Sequence, residues 1–120
     1  MKLSTVFTVL NQIKIDHWQT KSHSEHVALG TAYEELGELF DSFVEIYYGK
    51  KGIPDVSQSS ITYSIKSDSY KQDPINRYTT MRDSVLTYLS SITEGESDLK
   101  NIKDEIEGEF NQLIYRLQQS

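Results

Sequence analysis

GKKGIPDVSQSSITYSIKSDSYKQDP, residues 49–74, is the stretch that decides the fold of this chain. It is rich in Ser, with Gly, Pro and Asp, and holds a short alternating piece (Ile61, Tyr63, Ile65), so an extended crossover or one containing a short helix is expected. The segments on both sides read as long helices. A connection of this length lets the second of them start at the far end of a bundle, so the two flanking helices run parallel.

Outward from that connection, four helices are predicted. The first spans 3–19, capped by Ser4 or Thr5, with Leu3, Val6, Phe7, Leu10, Ile13 and His17 recurring every three or four residues. A polar turn follows, and Ser24 is the expected cap of a helix over 25–48 whose stripe is Val27, Leu29, Tyr33, Leu36, Phe40, Phe43, Val44 and Tyr47. Gly49, Gly52 and Pro54 end it. Asp73-Pro74 is a strong start for a helix over 74–93, with Asp as cap and Pro at the first helical position. Its face is Ile75, Tyr78, Met81, Val85, Leu89 and Ile92. Glu94-Gly95-Glu96 breaks it, and Ser97 or Asp98 opens a helix over 97–118 with a seam of Leu99, Ile102, Ile106, Phe110, Leu113 and Leu117. Short turn, long crossover over 49–73, short turn: the expectation is a single domain over 1–120, an all-α, ferritin-like four-helix bundle.

Composition narrows the chemistry. The 120 residues contain no cysteine, which removes disulfides, thiolate metal sites and Cys nucleophiles. A metal here must be held by His and carboxylate. The net charge is −6 and the only basic pair is Lys50-Lys51, so binding of DNA through phosphates is not expected. No apolar run approaches a membrane span, and Asn11, Gln12 and Lys14 interrupt the first segment where a signal peptide would be apolar. The expected location is the cytoplasm.

His17 shares the apolar stripe of the first helix, and a polar ring there needs a partner. Asp41 and Glu45 are one turn apart on the second helix, and like charges at that spacing repel unless a cation lies between them. The same pair also fits a solvated acidic edge, as Glu34, Glu35 and Glu38 do. His26 lies fifteen residues before Asp41, within roughly 60° of its direction but about 22 Å away along the helix. One helix therefore cannot bring both to one ion. If His17, His26, Asp41 and Glu45 serve one metal, two chains share the site. Gly30 and Gly37 lie on the same edge and permit close approach of another helix. His23 falls in the turn and receives no role.

His17-Trp18-Gln19-Thr20-Lys21 resembles the His-Trp-Asn-Val-Lys signature that closes the first helix of Dps proteins, the miniferritins. In that family a second His follows, then an Asp fifteen residues on and a Glu four after it. His26, Asp41 and Glu45 have those spacings. The resemblance covers 3–48 best, then 74–118, and not the crossover. It implies a ferroxidase site across a two-fold dimer, with His17 and His26 from one subunit and Asp41 and Glu45 from the other. It implies non-haem iron, peroxide or oxygen as oxidant, and self-assembly as a dimer or a twelve-subunit shell. Trp18 becomes a neighbouring redox-active or packing residue.

Gly30 stands where many members of that family carry an additional acidic ligand, the turn between the histidines is about three residues shorter, and a lysine-rich DNA-binding tail is not expected, since the first helix starts almost at once. These departures frame the alternative expectation: a non-catalytic Dps-like bundle, an interaction or structural protein with a vestigial or single-metal site. Similar proteins of tailed bacteriophages provide a setting for it.

Overall fold

Ser22 accepts a hydrogen bond from the Glu25 backbone N–H, and Asp73 accepts one from Ile75. These two caps start the two helices on either side of the long connection. The computed structural model describes residues 1–53, 61–68 and 71–119. It contains α1 (Leu3–Gln19), α2 (His23–Lys51), α3 (Pro74–Ile92) and α4 (Ser97–Gln118), with no strand among the described residues. The protein is an all-α four-helix bundle. Residues 54–60 and 69–70 of the predicted crossover lie outside the described residues.

α2 packs against both α1 and α4, and α3 packs against α4. Asp16 of α1 meets Tyr78 of α3, whereas Lys2 meets Tyr88, so these two helices are antiparallel. α1 and α2 form an antiparallel hairpin. α2 and α3 are therefore parallel, as a crossover between them requires. At the opposite end from the α1–α2 turn, Lys50 pairs with Glu96 and Asp98, and Lys51 with Glu96, tying the end of α2 to the start of α4.

The largest fully buried side chains of the core are Val9, Ile13, Leu29, Leu36, Phe40, Phe43, Tyr78, Leu89, Leu99, Ile106, Phe110 and Leu113. Each such side chain contributes about 1.5–3 kcal/mol by leaving water. The buried seam of α4 keeps the predicted Leu99, Ile106, Phe110, Leu113 and Leu117, adds Ile114, and leaves Ile102 only partly buried against it.

Several expectations are corrected. The cap of α2 is Ser22, not Ser24, so the helix begins at His23, and it continues to Lys51 because the break comes only at Gly52, whose φ is +84°. α3 ends at Ile92 rather than 93. Neither Ser4 nor Thr5 caps α1, and neither Ser97 nor Asp98 is the cap residue of α4. Those positions are Lys2 and Glu96, and neither side chain makes a capping bond. The buried stripe of α1 is Val6, Val9, Gln12, Ile13 and Asp16, which turns Phe7 outward. On α2, Ala28 and Ala32 are in the core and Val27 is exposed. No described helix is long and apolar enough to cross a membrane.

Candidate functional site

The hairpin between α1 and α2 is tight, and its chemistry explains why. Ser22 accepts from Glu25 N–H, and the Glu25 carboxylate accepts from the Thr20 hydroxyl at 2.6 Å. The Thr20 N–H closes α1 on the Asp16 carbonyl. This short connection brings the last turn of α1 level with the first turn of α2.

His17 and His26 meet there. Their rings stack with centroids 3.8 Å apart and planes 16° from parallel. His17 Nδ1 lies 2.6 Å from the His26 carbonyl, and His26 Nδ1 lies 2.7 Å from the His17 carbonyl. A carbonyl only accepts, so each Nδ1 is the protonated nitrogen and donates. The nitrogen left with a lone pair on both rings is Nε2, and neither Nε2 has a hydrogen-bond partner among the described residues. Histidines that ligate metals are commonly oriented in this way, with the second ring nitrogen donating to a carbonyl.

Gly30 leaves the His17 ring its room. A Cβ built there would stand 3.0 Å from His17 Cε1 and 3.3 Å from His17 Nδ1. The close approach expected at this glycine is therefore made by the chain's own α1. Gly37 has nothing within 4 Å of its Cβ position. His23, expected in the turn, is the first residue of α2, and its ring lies 6.4 Å from that of His26.

Asp41 and Glu45 lie on the exposed side of α2 together with Glu34 and Glu38. Their distance from His26 along the helix is about 22 Å or more. One chain thus brings His17 and His26 together and leaves Asp41 and Glu45 apart from them. No group of three His, Cys, Asp or Glu able to hold a metal forms among the described residues.

A second polar cluster escaped the sequence reading. Asp16, 1% exposed, accepts from the Tyr78 hydroxyl at 2.5 Å and the Gln12 amide at 3.1 Å, with an Arg77 nitrogen at 3.4 Å. Burial and the neighbouring carboxylate push the Tyr78 phenol far above its ordinary value. Gln12 also pairs with both backbone groups of Lys66, and Asn11 donates to the Tyr63 hydroxyl, so the second half of the crossover is pinned along α1. Above this cluster a cleft of about 670 Å³ opens between α1 and α3. The signal was present in the sequence: Gln12 and Asp16 share the stripe of Val9 and Ile13 at helical spacing.

The profile of a family of unknown function (DUF5856) matches residues 17–117, from the first histidine of the stack to the last buried leucine of α4. No curated protein and no solved structure matches the chain.

Proposed function

We propose that this chain, which belongs to the DUF5856 family, binds Fe(II) as a substrate and oxidises it at a His/carboxylate site shared between two copies. The observation that carries the reading is the reciprocal lock of His17 and His26. Each ring spends its Nδ1–H on the other residue's carbonyl and keeps an Nε2 lone pair for a metal. Imidazole with carboxylate is a donor set that suits iron. Asp41 and Glu45, about 22 Å or more up the same helix, supply the carboxylates only if a second chain runs antiparallel to the first.

In this reading the protein does three things. His17 and His26 each offer one Nε2 lone pair to Fe(II), in ring planes set by their bonds to the backbone. Asp41 and Glu45 of the partner subunit neutralise its charge and stabilise the ferric product. Gly30 leaves the His17 ring its space. Two Fe(II) ions each give one electron to hydrogen peroxide, whose O–O bond breaks to two hydroxide ions that take protons from solvent or stay with the ferric product; oxygen is the other candidate oxidant. The Dps-like spacing of His17, His26, Asp41 and Glu45 supports the same assignment, and the resemblance extends it to a larger shell.

The test is Fe(II) oxidation followed by absorbance with peroxide and then air, alongside light scattering. Wild type is expected to oxidise iron as a dimer or larger assembly. His17→Ala and Asp41→Ala are expected to lose at least about a hundredfold in rate while retaining helix content, the loss associated with damaging a metal's ligand environment. Normal oxidation by both variants overturns the site. A wild-type protein that leaves iron ferrous turns the account to the second reading, a non-catalytic Dps-like interaction bundle.

A further inference from the structure

Three sides of the bundle are closed by packing, α1 on α2, α2 on α4 and α3 on α4. The fourth, between α1 and α3, is bridged near its ends by Lys2 N–H to the Tyr88 hydroxyl and by the Tyr78 hydroxyl to Asp16. The cleft of about 670 Å³ lies between these bridges. Polar side chains line it in two ladders, Ser4, Thr8 and Gln12 on α1 and Asn76, Thr80 and Ser84 on α3, each recurring every fourth residue. Between them the floor is Val9 and Val85, 2% and 4% exposed. A side of the bundle meant to close would carry apolar residues at those six positions. Ser4, Thr8, Asn76, Thr80 and Ser84 make no side-chain hydrogen bond among the described residues. The described lining holds two cations, Lys66 and Arg77, and two carboxylates, Asp16 and Asp73, so it favours no net charge. Arg77 lines the end near Asp16, and its buried Nε–H has no acceptor among the described residues.

We propose that the α1–α3 cleft binds an uncharged, extended peptide segment of another protein, held mainly through its backbone. From Ser4 to Asp16 the cleft follows α1 for roughly 18 Å, which gives a mean cross-section of roughly 35–40 Å². An α-helix, about 10 Å wide, is too thick for it. An extended chain fits, and five residues at about 3.4 Å each span its length. The periods also agree. Rungs four residues apart on a helix are about 6 Å apart along its axis, and alternate residues of an extended chain about 6.8 Å. Over the two steps of each ladder the mismatch reaches only about 1.6 Å. Hydroxyls and amides both donate and accept, so each rung takes an N–H or a C=O. Gln12, the last α1 rung, already reads backbone in this way on the rim of the same cleft. Its amide accepts from the Lys66 N–H at 2.8 Å and donates to the Lys66 carbonyl at 2.9 Å, pairing both backbone groups of one non-helical residue. The balanced charge of the lining selects a neutral segment, and the valine floor suits small apolar side chains at alternate positions. Arg77 Nε–H supplies a donor for a backbone carbonyl at the Asp16 end. The cleft is on the α3 side of α1 and the histidine pair on the α2 side, so neither reading depends on the other.

The experiment is a ¹H–¹⁵N titration of the full chain with a capped, uncharged pentapeptide of alternating valine and serine. Wild type is expected to bind, with shifts at the backbone amides of Thr8, Gln12, Thr80 and Ser84. Thr8→Val and Thr80→Val keep the side-chain shape and remove one rung each. Each is expected to weaken binding about two- to tenfold, the worth of one hydrogen bond. Thr87→Val, on α3 but outside the described lining, is expected to leave binding unchanged. A pentapeptide with alternate amides replaced by esters is expected to bind more weakly by at least the same factor, because the backbone is what is read. Circular dichroism verifies the fold of each variant. No binding, shifts away from the cleft, rung variants that bind like wild type, or an ester chain that binds like the amide overturns the proposal. Maltotriose binding in the cleft where the peptide does not also overturns it, and makes the ligand a saccharide.

Discussion

The imidazoles of His17 and His26 stack face to face, and each Nδ1–H donates to the other residue's backbone carbonyl at 2.6 and 2.7 Å. The relationship is symmetric, like the antiparallel hairpin that carries it. Neither ring can turn without breaking its own bond to the other residue's carbonyl and opening the stack, so the two histidines behave as one rigid unit. Long-range ¹H–¹⁵N spectra of the metal-free protein are expected to show both rings as Nδ1–H tautomers; Nε2–H forms would remove the basis of the metal reading.

Gly30 is the space that this unit occupies. Gly30→Ala puts a methyl 3.0 Å from His17 Cε1, and the His17 ring must move. Alanine is also the better helix former by about 1 kcal/mol, so overall stability is expected to stay within about 1 kcal/mol of wild type. Iron oxidation is expected to fall at least about tenfold, in line with a disturbed ligand environment. Unchanged oxidation kinetics would show that the orientation of His17 is irrelevant to activity.

The buried end of α1 depends on Tyr78. Tyr78→Phe removes the shortest donor to Asp16, a carboxylate that is 1% exposed. Leaving such a group short of a partner costs about 1–3 kcal/mol. Urea unfolding is the measurement, with Tyr115→Phe, an exposed tyrosine, as the comparison expected to change little. Equal midpoints for the two variants would mean that Asp16 does not rely on this phenol.

Acid acts at the other end of the bundle. Hydrogen bonds from Lys50, then Lys51, hold Glu96 below its ordinary 4.5, and Lys50 holds Asp98 below its ordinary 3.8. A carboxylate bound less tightly to its proton when folded stabilises the fold above its unfolded value, and that contribution is lost as pH falls through the folded one. Lys50 is raised above 10.5 by Asp98 and then Glu96, so its share is present below that value and lost as pH climbs past it. Lys50→Met is therefore expected to lower Tm at pH 7 and to flatten its fall between pH 5 and 3. Because the groups are exposed, added salt is expected to narrow the difference. A Tm difference that persists unchanged at pH 3 would contradict the assignment.

Glu109 has the opposite sign. Burial, and then the charge of Glu35, raise its carboxyl above the ordinary 4.5, with Arg116 opposing. Folding then favours the protonated form, and stability grows as pH falls through the folded value towards the unfolded one near 4.5. Glu109→Gln is expected to raise stability at pH 7 by about 0.2–0.5 kcal/mol, the size of one relieved like-charge contact. Thermal melts at pH 7 and pH 4 are the check, with the gain disappearing at the lower pH.

How much of this was legible in the sequence depended on whether local signals were enough. Asp73-Pro74 marks the start of α3 because cap and proline act within four residues, and the α4 seam repeats without interruption. Ser22 and Ser24 are both plausible caps; Glu25 decides for Ser22, since its N–H bonds Ser22 and its carboxylate bonds Thr20. The α1 stripe was misread by part of a turn because Gln12 and Asp16 are polar. Their spacing puts them on the Val9 and Ile13 stripe, but the partners that bury them, Tyr78 of α3 and Lys66 of the crossover, are distant in sequence. For the candidate site, spacing showed that His26 and Asp41 cannot share an ion within one chain. The mutual lock of the histidines and the role of Gly30 in it are tertiary facts.

The central claim, a site split between two chains, is tested most directly by mixing two inactive variants. His17→Ala and Asp41→Ala are unfolded together, refolded as an equimolar mixture, and assayed for Fe(II) oxidation. In a mixed two-fold dimer one site carries both lesions and the other carries none. Half of the dimers are mixed, so about one quarter of wild-type activity is expected to return. A mixture as inactive as its two components contradicts a site shared between chains.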